Sequence, residues 1–411
     1  MNRQRLLQRF LRYVQIDTTA RSGVESYPSS PGQLELGRVL VEELRQLGLG
    51  DARQDGHGIV TATVPSNVDR EVPAVALFAH LDTSPETSGA GVKPQVIENY
   101  QGGDLVLPGD SSRVIRPDEH PELKELIGRT IITSDGTTLL GADDKAGVAA
   151  IVEVAAWLVE HPEVPRGPVR LCFTCDEEVG RGVVYVDLKE LGAQAGYTLD
   201  GQGADAIDVE TFSADLAMVT IRGANIHPGI AKGRMVNALR VAADFLARLP
   251  FDGASPETTE DRQGFLHPYE VQGGVGEVKI QTLLRDFQTP ALERWAAILK
   301  QAAADSMAAF SGSRIDLDIR PQYRNMAEGL AREPRAVAYA QRALERLGRK
   351  PRLTIVRGGT DGSRLTEMGL PTPNLACGQH WPHSPLEWAC LEEMAGAVQW
   401  VVELLGLWAQ P

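Results

Sequence analysis

The sequence has 411 residues, 43% of them hydrophobic and 23% charged, a composition typical of folded globular proteins and long enough for two or three domains. With 41 Lys+Arg against 55 Asp+Glu, the formal charge of −14 excludes the basic field that draws a protein to nucleic acid. The longest apolar stretch, 148–159, is interrupted by Glu153 and falls short of the roughly 20 residues a membrane span needs.

In chain order, the apolar positions Leu6, Leu7, Phe10, Leu11 and Val14 have helical spacing, which predicts a surface helix over 3–16 rather than a signal sequence. Further helices are predicted over 31–47, with Ser30 as cap and Pro31 in the first turn, and over 144–160, 234–248, 291–308, 334–347 and 388–407. Strands are predicted over 58–64, 74–79, 168–174, 196–199, 214–222, 276–284, 314–320 and 352–356. The segment from Ser84 to about Gly128 is rich in Gly, Pro and charge without periodicity. It reads as a surface excursion with a short hairpin, either a solvated insertion or a flap near a site. Between about 212 and 328 the order becomes strand, helix, two strands, helix, strand, which predicts a smaller α+β domain inserted into a larger α/β domain. The expected division is therefore 1–211, 212–328 and 329–411, the outer two segments being parts of one domain.

Four cysteines are too few for a disulfide scaffold and fit a reducing compartment, so a cytoplasmic location is expected. Cys172 and Cys175 form a C-x-x-C inside a strand-like run with no second pair to complete a tetrahedral site, and read as core thiols.

The chemistry gathers where apolar runs end. Ala74-Val-Ala-Leu-Phe-Ala-His80-Leu-Asp82 is a strand closing in H-x-D, whose two polar side chains share one face. A histidine there can ligate a metal while the aspartate fixes its tautomer. Gly141-Ala-Asp143-Asp144-Lys places two carboxylates before a helix, where they either cap it or let one of them bridge two cations. Asp176-Glu177-Glu178-Val-Gly180 puts three carboxylates at another strand end, where they repel unless solvent or cations neutralise them. Adjacent glutamates also permit one to be a ligand and the next a base. Thr198-Leu-Asp200-Gly201 is a further strand-end aspartate, and His380-Trp-Pro-His383 a late imidazole pair. Together they supply two histidines, two aspartates and a glutamate, with a spare glutamate, a set suited to two divalent ions sharing one carboxylate.

In order and spacing these runs, with Asn225-Ile-His227-Pro-Gly229 and Arg357-Gly-Gly-Thr-Asp-Gly362, resemble the peptidase T family over essentially the whole chain. That family is the tripeptide aminopeptidase branch of the dinuclear-zinc exopeptidases and deacylases. The resemblance implies an α/β zinc-exopeptidase-like catalytic domain interrupted by a smaller α+β lid domain. It implies that Asp143 bridges two divalent ions, zinc first and manganese or cobalt as alternatives, that His80 and Asp200 complete one, and that Glu178 and His383 complete the other. Glu177 would be the general base and Asp82 the residue orienting His80; His227 would reach the substrate on closure, and Arg285, Asn325 and Arg357 would bind its free carboxylate. One departure is the loop Gly378-Gln379-His380-Trp381-Pro382-His383, which lacks the family's Gly- and Asn-containing aromatic pattern; Glu387, four residues on, favours His383 over His380 as ligand. The expected partners are short peptides, without nucleic acid or membrane, and a homodimer is left open. The alternatives are an N-acyl amino acid deacylase or dipeptidase of the same family, and a non-catalytic binding protein, which would usually lack a ligand or the base.

Overall fold

Strands Val169–Thr174, Val75–His80, Ala195–Gln202 and Asn374–His380 lie side by side in that order, all parallel. Most of their residues are buried on both faces, which explains the continuous apolar run of Val75–His80 up to its last residue. Antiparallel strands extend the sheet on both sides: Val60–Val64 and Arg53–Gln54 beyond 169–174, and Trp388–Cys390, Ile131–Thr133 and Gln95–Ile97 beyond 374–380. Helix Ala142–Glu160 packs against the strands at 75–80, 195–202 and 374–380 and is itself covered by Arg3–Val14 and Leu391–Trp408. It is buried nearly all round, as its Ala- and Val-rich sequence requires. Gly147 lets it approach the sheet, because a Cβ there would sit 1.8 Å from the Leu199 carbonyl oxygen.

The computed structural model describes residues 1–410 and divides into two units. The larger comprises Met1–Val209, Glu328–Thr354 and the chain from Thr360 onward; the smaller comprises Glu210–Ala327 and Ile355–Gly359. The stretch 355–359, placed by the sequence with the last segment, clusters with the smaller unit. The smaller unit is an antiparallel sheet in the order Phe265–Gly273, Glu277–Asp286, Ser213–Arg222, Arg314–Tyr323. Helices Ala238–Ala247 and Ala291–Ala309 pack on it around Val219, Ile221, Phe245, Ile280 and Leu299. Pro268 is accommodated because its strand lies at the sheet edge, with a register shift beside it.

Some elements differ from expectation. Asn374–His380 has no β-branched residue and carries Gly378, so its local pattern is that of a loop; the neighbouring strands bury all seven positions. The helix expected from 388 begins at Leu391, because Trp388–Cys390 pairs with Ile131–Thr133. Within the excursion, Leu105–Val106 and Val114–Ile115 form the expected hairpin, and a short helical turn spans Pro121–Glu125. Among the described residues, no helix is long and apolar enough to cross a membrane.

Candidate metal centre

All seven residues expected at the centre lie in the larger unit, six of them at or near the carboxyl ends of the four parallel strands and Asp143 in the first turn of the helix Ala142–Glu160. His80 ends its strand with Nε2 3.0 Å from Asp143 Oδ1 and 3.8 Å from Asp200 Oδ1. Its Nδ1 lies 3.1 Å from the Asp82 carbonyl oxygen and 3.4 Å from Asp82 Oδ1. The fully buried Asp82 carboxylate also accepts the amides of Glu177 and Glu178, at 3.1 and 3.0 Å. One aspartate therefore fixes both the imidazole and the turn that carries the two glutamates. On the other side, His383 Nε2 lies 2.9 Å from Glu178 Oε2 and 3.5 Å from Asp143 Oδ2. The Asp143 carboxylate thus stands between the two imidazoles, one oxygen toward each.

The remaining acidic and imidazole groups of these motifs have structural partners. Asp144 is fully buried, its Oδ2 accepting the His80 amide at 3.1 Å. Asp176 is held by Ser29, Gln33 and Arg181. His380 faces away from the cluster, with Nε2 2.6 Å from Glu393 and its ring stacked 3.7 Å from Trp388.

Three contributors escaped the sequence reading. Glu387, read only as a register mark for His383, is buried and accepts the amides of Leu140, Gly141 and Asp143 at 2.8, 2.7 and 2.9 Å. It fixes the turn that presents Asp143. Gln379 donates to Asp200 Oδ1 at 3.1 Å and to its carbonyl at 2.9 Å. Asp361 is 6% exposed, accepts from the Thr174 hydroxyl at 2.7 Å, and packs so closely on Gly182 that a Cβ there would lie 2.0 Å from Oδ1. No local signal separates Glu387 or Gln379 from an ordinary polar residue, since their roles come from contacts with distant chain.

So many carboxylates in one buried space cannot all ionise. Burial, reinforced by the Asp143 charge, pushes Glu178 and Asp200 up to about 7. Burial raises Asp361 to about 6 and, against three amide hydrogen bonds, Glu387 to about 7. Glu177 is raised well above the usual range by burial, helped by the charges of Asp361, Asp200 and Glu178. Asp143 goes the other way: burial opposes its charge, but the hydrogen bonds to His383 and His80 hold it below the usual carboxylate range. Burial likewise opposes the charge on His383, yet the bonds to Asp143 and Glu178 lift it to about 11. The protein alone thus compensates its charge with protons.

Divalent cations fit this set. Donor atoms of His80, Asp143 and Glu178 lie within 4.8 Å of one another, as do those of His80, Asp144 and Asp200, and Glu178 Oε1 is buried without a partner. Mixed imidazole and carboxylate donors suit Zn²⁺, Mn²⁺ or Co²⁺.

The profile of peptidase family M20/M25/M40 matches residues 135–406. The chain belongs to this family. It is 43% identical over 408 residues to a peptidase T of Geobacillus kaustophilus, covering 99% of both chains. The solved aminopeptidase PepT of Bacillus cereus superposes with a TM-score of 0.76 at 27% identity, covering 100% of each chain. A dinuclear metal-binding M20 peptidase of Bacillus subtilis shares the fold at a TM-score of 0.65 and 16% identity, with 98% of each chain covered. A peptidase of this family therefore carries the cluster, within an α/β domain into which an α+β domain is inserted.

The four residues expected to meet substrate lie in the smaller unit. His227 is exposed, its Nδ1 accepting the Gly229 amide at 3.1 Å. Asn325 accepts from the Thr211 and Ala327 amides and donates to the Phe287 carbonyl, stitching the chain where it enters and leaves the unit. Arg357 donates to the carbonyls of Asp261, Gln263 and Thr259 and to the Thr259 hydroxyl, with its guanidinium over the rings of Phe212 and Phe265. Arg285 differs: its buried Nε has no partner and its Nη1 makes one 3.4 Å bond to the Arg357 carbonyl.

Proposed function

We propose that this chain is a dinuclear-metal aminopeptidase that removes the N-terminal residue from short peptides, tripeptides in preference. The observation that carries the reading is the Asp143 carboxylate between His80 and His383, flanked by Asp200 and Glu178, with the Glu177 carboxylate beside them. In this reading His80, Asp143 and Asp200 hold one ion and Asp143, Glu178 and His383 the other, zinc being the first candidate. When bound, the ions polarise a carbonyl and bring the pKa of water toward neutrality.

The chain's own residues do the rest. The Glu177 carboxylate, its pKa raised by burial, is the group that would take a proton from water and deliver it to the departing amine. Asp82 keeps that carboxylate in place through its backbone amide, and Glu387 does the same for Asp143. His227 would act on the substrate only when domains or subunits close over it. Arg285 has the donors to take the peptide's free carboxylate, and Arg357 and Asn325 would support that region rather than contact substrate. The four free, buried cysteines favour the cytoplasm as the compartment.

A peptide series of two to five residues, with N-acetylated amino acids as controls, tests the reading. The highest kcat/KM should fall on tripeptides with a free amino terminus. Fastest turnover of N-acetylated amino acids would make the protein a deacylase, and fastest turnover of dipeptides a dipeptidase.

A further inference from the structure

The excursion between Ser84 and Gly128 meets the loop that carries His383 at two places. At the first, the Thr87 hydroxyl donates to the His383 carbonyl at 2.7 Å, and Glu86 Oε2 lies 3.4 Å from His383 Nδ1. At the second, the Trp381 indole N–H donates to Glu122 Oε1 at 3.2 Å, and the His120 ring packs 4.1 Å from the Trp381 ring. The same Glu122 oxygen is 3.8 Å from His380 Nδ1. Trp381 and His383 both have positive φ, 53° and 62°, a conformation that non-glycine residues keep only when their surroundings impose it. The loop is thus gripped on both flanks by residues of the excursion.

The two imidazoles of the centre are built alike. His80 turns Nε2 to Asp143 and Nδ1 to Asp82; His383 turns Nε2 to Glu178 and Asp143 and Nδ1 to Glu86. A carboxylate on the outer nitrogen of a ligating histidine fixes its tautomer and its ring plane. They differ in exposure, because the Asp82 side chain is 0% accessible and that of Glu86 is 71%.

We infer that Glu86 is a positioning residue for His383, and that the excursion clamps the His383 half of the metal centre. The inference rests on the reading that His383 holds an ion. Glu86 reaches the centre only through the His383 ring, and its effect is weakened by solvent where that of Asp82 is not.

The test is metal binding by the full chain. Wild type, Glu86→Ala, Glu86→Gln and Thr87→Val are stripped with chelator and titrated with Zn²⁺ against a chromophoric competitor, and their Co²⁺ absorption spectra are recorded. In Glu86→Ala one of two Zn²⁺ ions should bind about tenfold more weakly, at the lower end of the range for such outer partners, with the other unchanged. Half of the Co²⁺ d–d spectrum should shift. Glu86→Gln, which keeps an acceptor for the imidazole N–H, should recover part of the loss, and Thr87→Val should weaken the same ion. Equal melting temperatures of the metal-free proteins would show that the fold is intact. Two wild-type Zn²⁺ affinities and an unchanged Co²⁺ spectrum in Glu86→Ala overturn the inference and leave Glu86 a surface carboxylate. Fewer than two ions bound by the wild type instead overturns the dinuclear reading on which it rests.

Discussion

The larger and the smaller unit use polar side chains in opposite ways. At the strand ends of the larger unit, carboxylates and imidazoles face one another across 3–4 Å, and burial forces several to hold protons they would otherwise lose. In the smaller unit the expected functional groups are either spent on the backbone, as in Asn325 and Arg357, or left with unfilled capacity, as in Arg285 and the exposed His227. The first pattern is a preorganised cluster whose donors suit divalent cations. The second leaves two side chains, Arg285 and His227, with donors or acceptors still to be used.

The largest effect should come from breaking the first pattern at one atom. Glu177→Gln removes the proton acceptor without removing a ligand, so kcat should fall by about 10²–10⁴ with two metals still bound. Glu178→Gln should release or weaken one metal, since Glu178 is the carboxylate facing His383 at 2.9 Å. Metal content by elemental analysis beside kcat separates the two. Equal metal loss in both variants would mean that the roles of the adjacent glutamates are exchanged.

Why the site was so legible in the sequence, and the second pattern so much less, has a physical explanation. His80, Asp82, Asp143, Glu177, Glu178 and Asp200 stand out because each interrupts or follows an apolar run that must be buried, and a buried charge needs a reason. The same logic located three of the four central parallel strands and the helix expected over 144–160, which runs from Ala142 to Glu160. It failed for Asn374–His380, whose strand conformation is imposed by its neighbours, and for Glu387, whose acceptors are used by amides about 250 residues away in sequence. For Arg357, sequence could show a cation beside a Gly-Gly turn but not that its nitrogens are already satisfied by the 259–263 loop.

A second way to sharpen the comparison is the stability of the chelated protein. Glu178, Asp200 and Glu387 are held near 7 and Asp361 near 6, chiefly by burial. A carboxyl whose folded pKa exceeds its unfolded value of about 4 stabilises the fold while protonated, so this contribution is complete below about pH 4 and is lost as pH rises through 6 to 7. His383, lifted to about 11, adds a loss in the same direction above its unfolded value of about 6.5. The low pKa of Asp143 acts only in stronger acid. The melting temperature of chelated protein should therefore fall by several degrees from pH 5 to pH 8, and added Zn²⁺ should flatten the trend because bound cations replace the protons. Equal melting temperatures at both pH values without metal would show that the carboxylates are not crowded.

The smallest expected effect separates Arg285 from Arg357, the two arginines of the smaller unit expected to bind the substrate's carboxylate. Arg285 has a buried Nε without a partner and one long bond from Nη1, so its fork can accept a carboxylate without breaking anything. Arg357 would have to give up four hydrogen bonds and a seat between two phenylalanine rings to do the same. Lysine keeps the charge of either residue but loses the paired donors. Arg285→Lys should thus raise KM for free tripeptides by about tenfold, a fraction of the strength of a charge-assisted hydrogen bond, and should change KM for C-terminally amidated tripeptides much less. Arg357→Lys should lower the melting temperature, with the ratio of free to amidated KM unchanged. If that ratio moves in Arg357→Lys and not in Arg285→Lys, the carboxylate is read by the arginine whose bonds now look purely internal, and the smaller unit must rearrange its 259–263 loop each time a substrate binds.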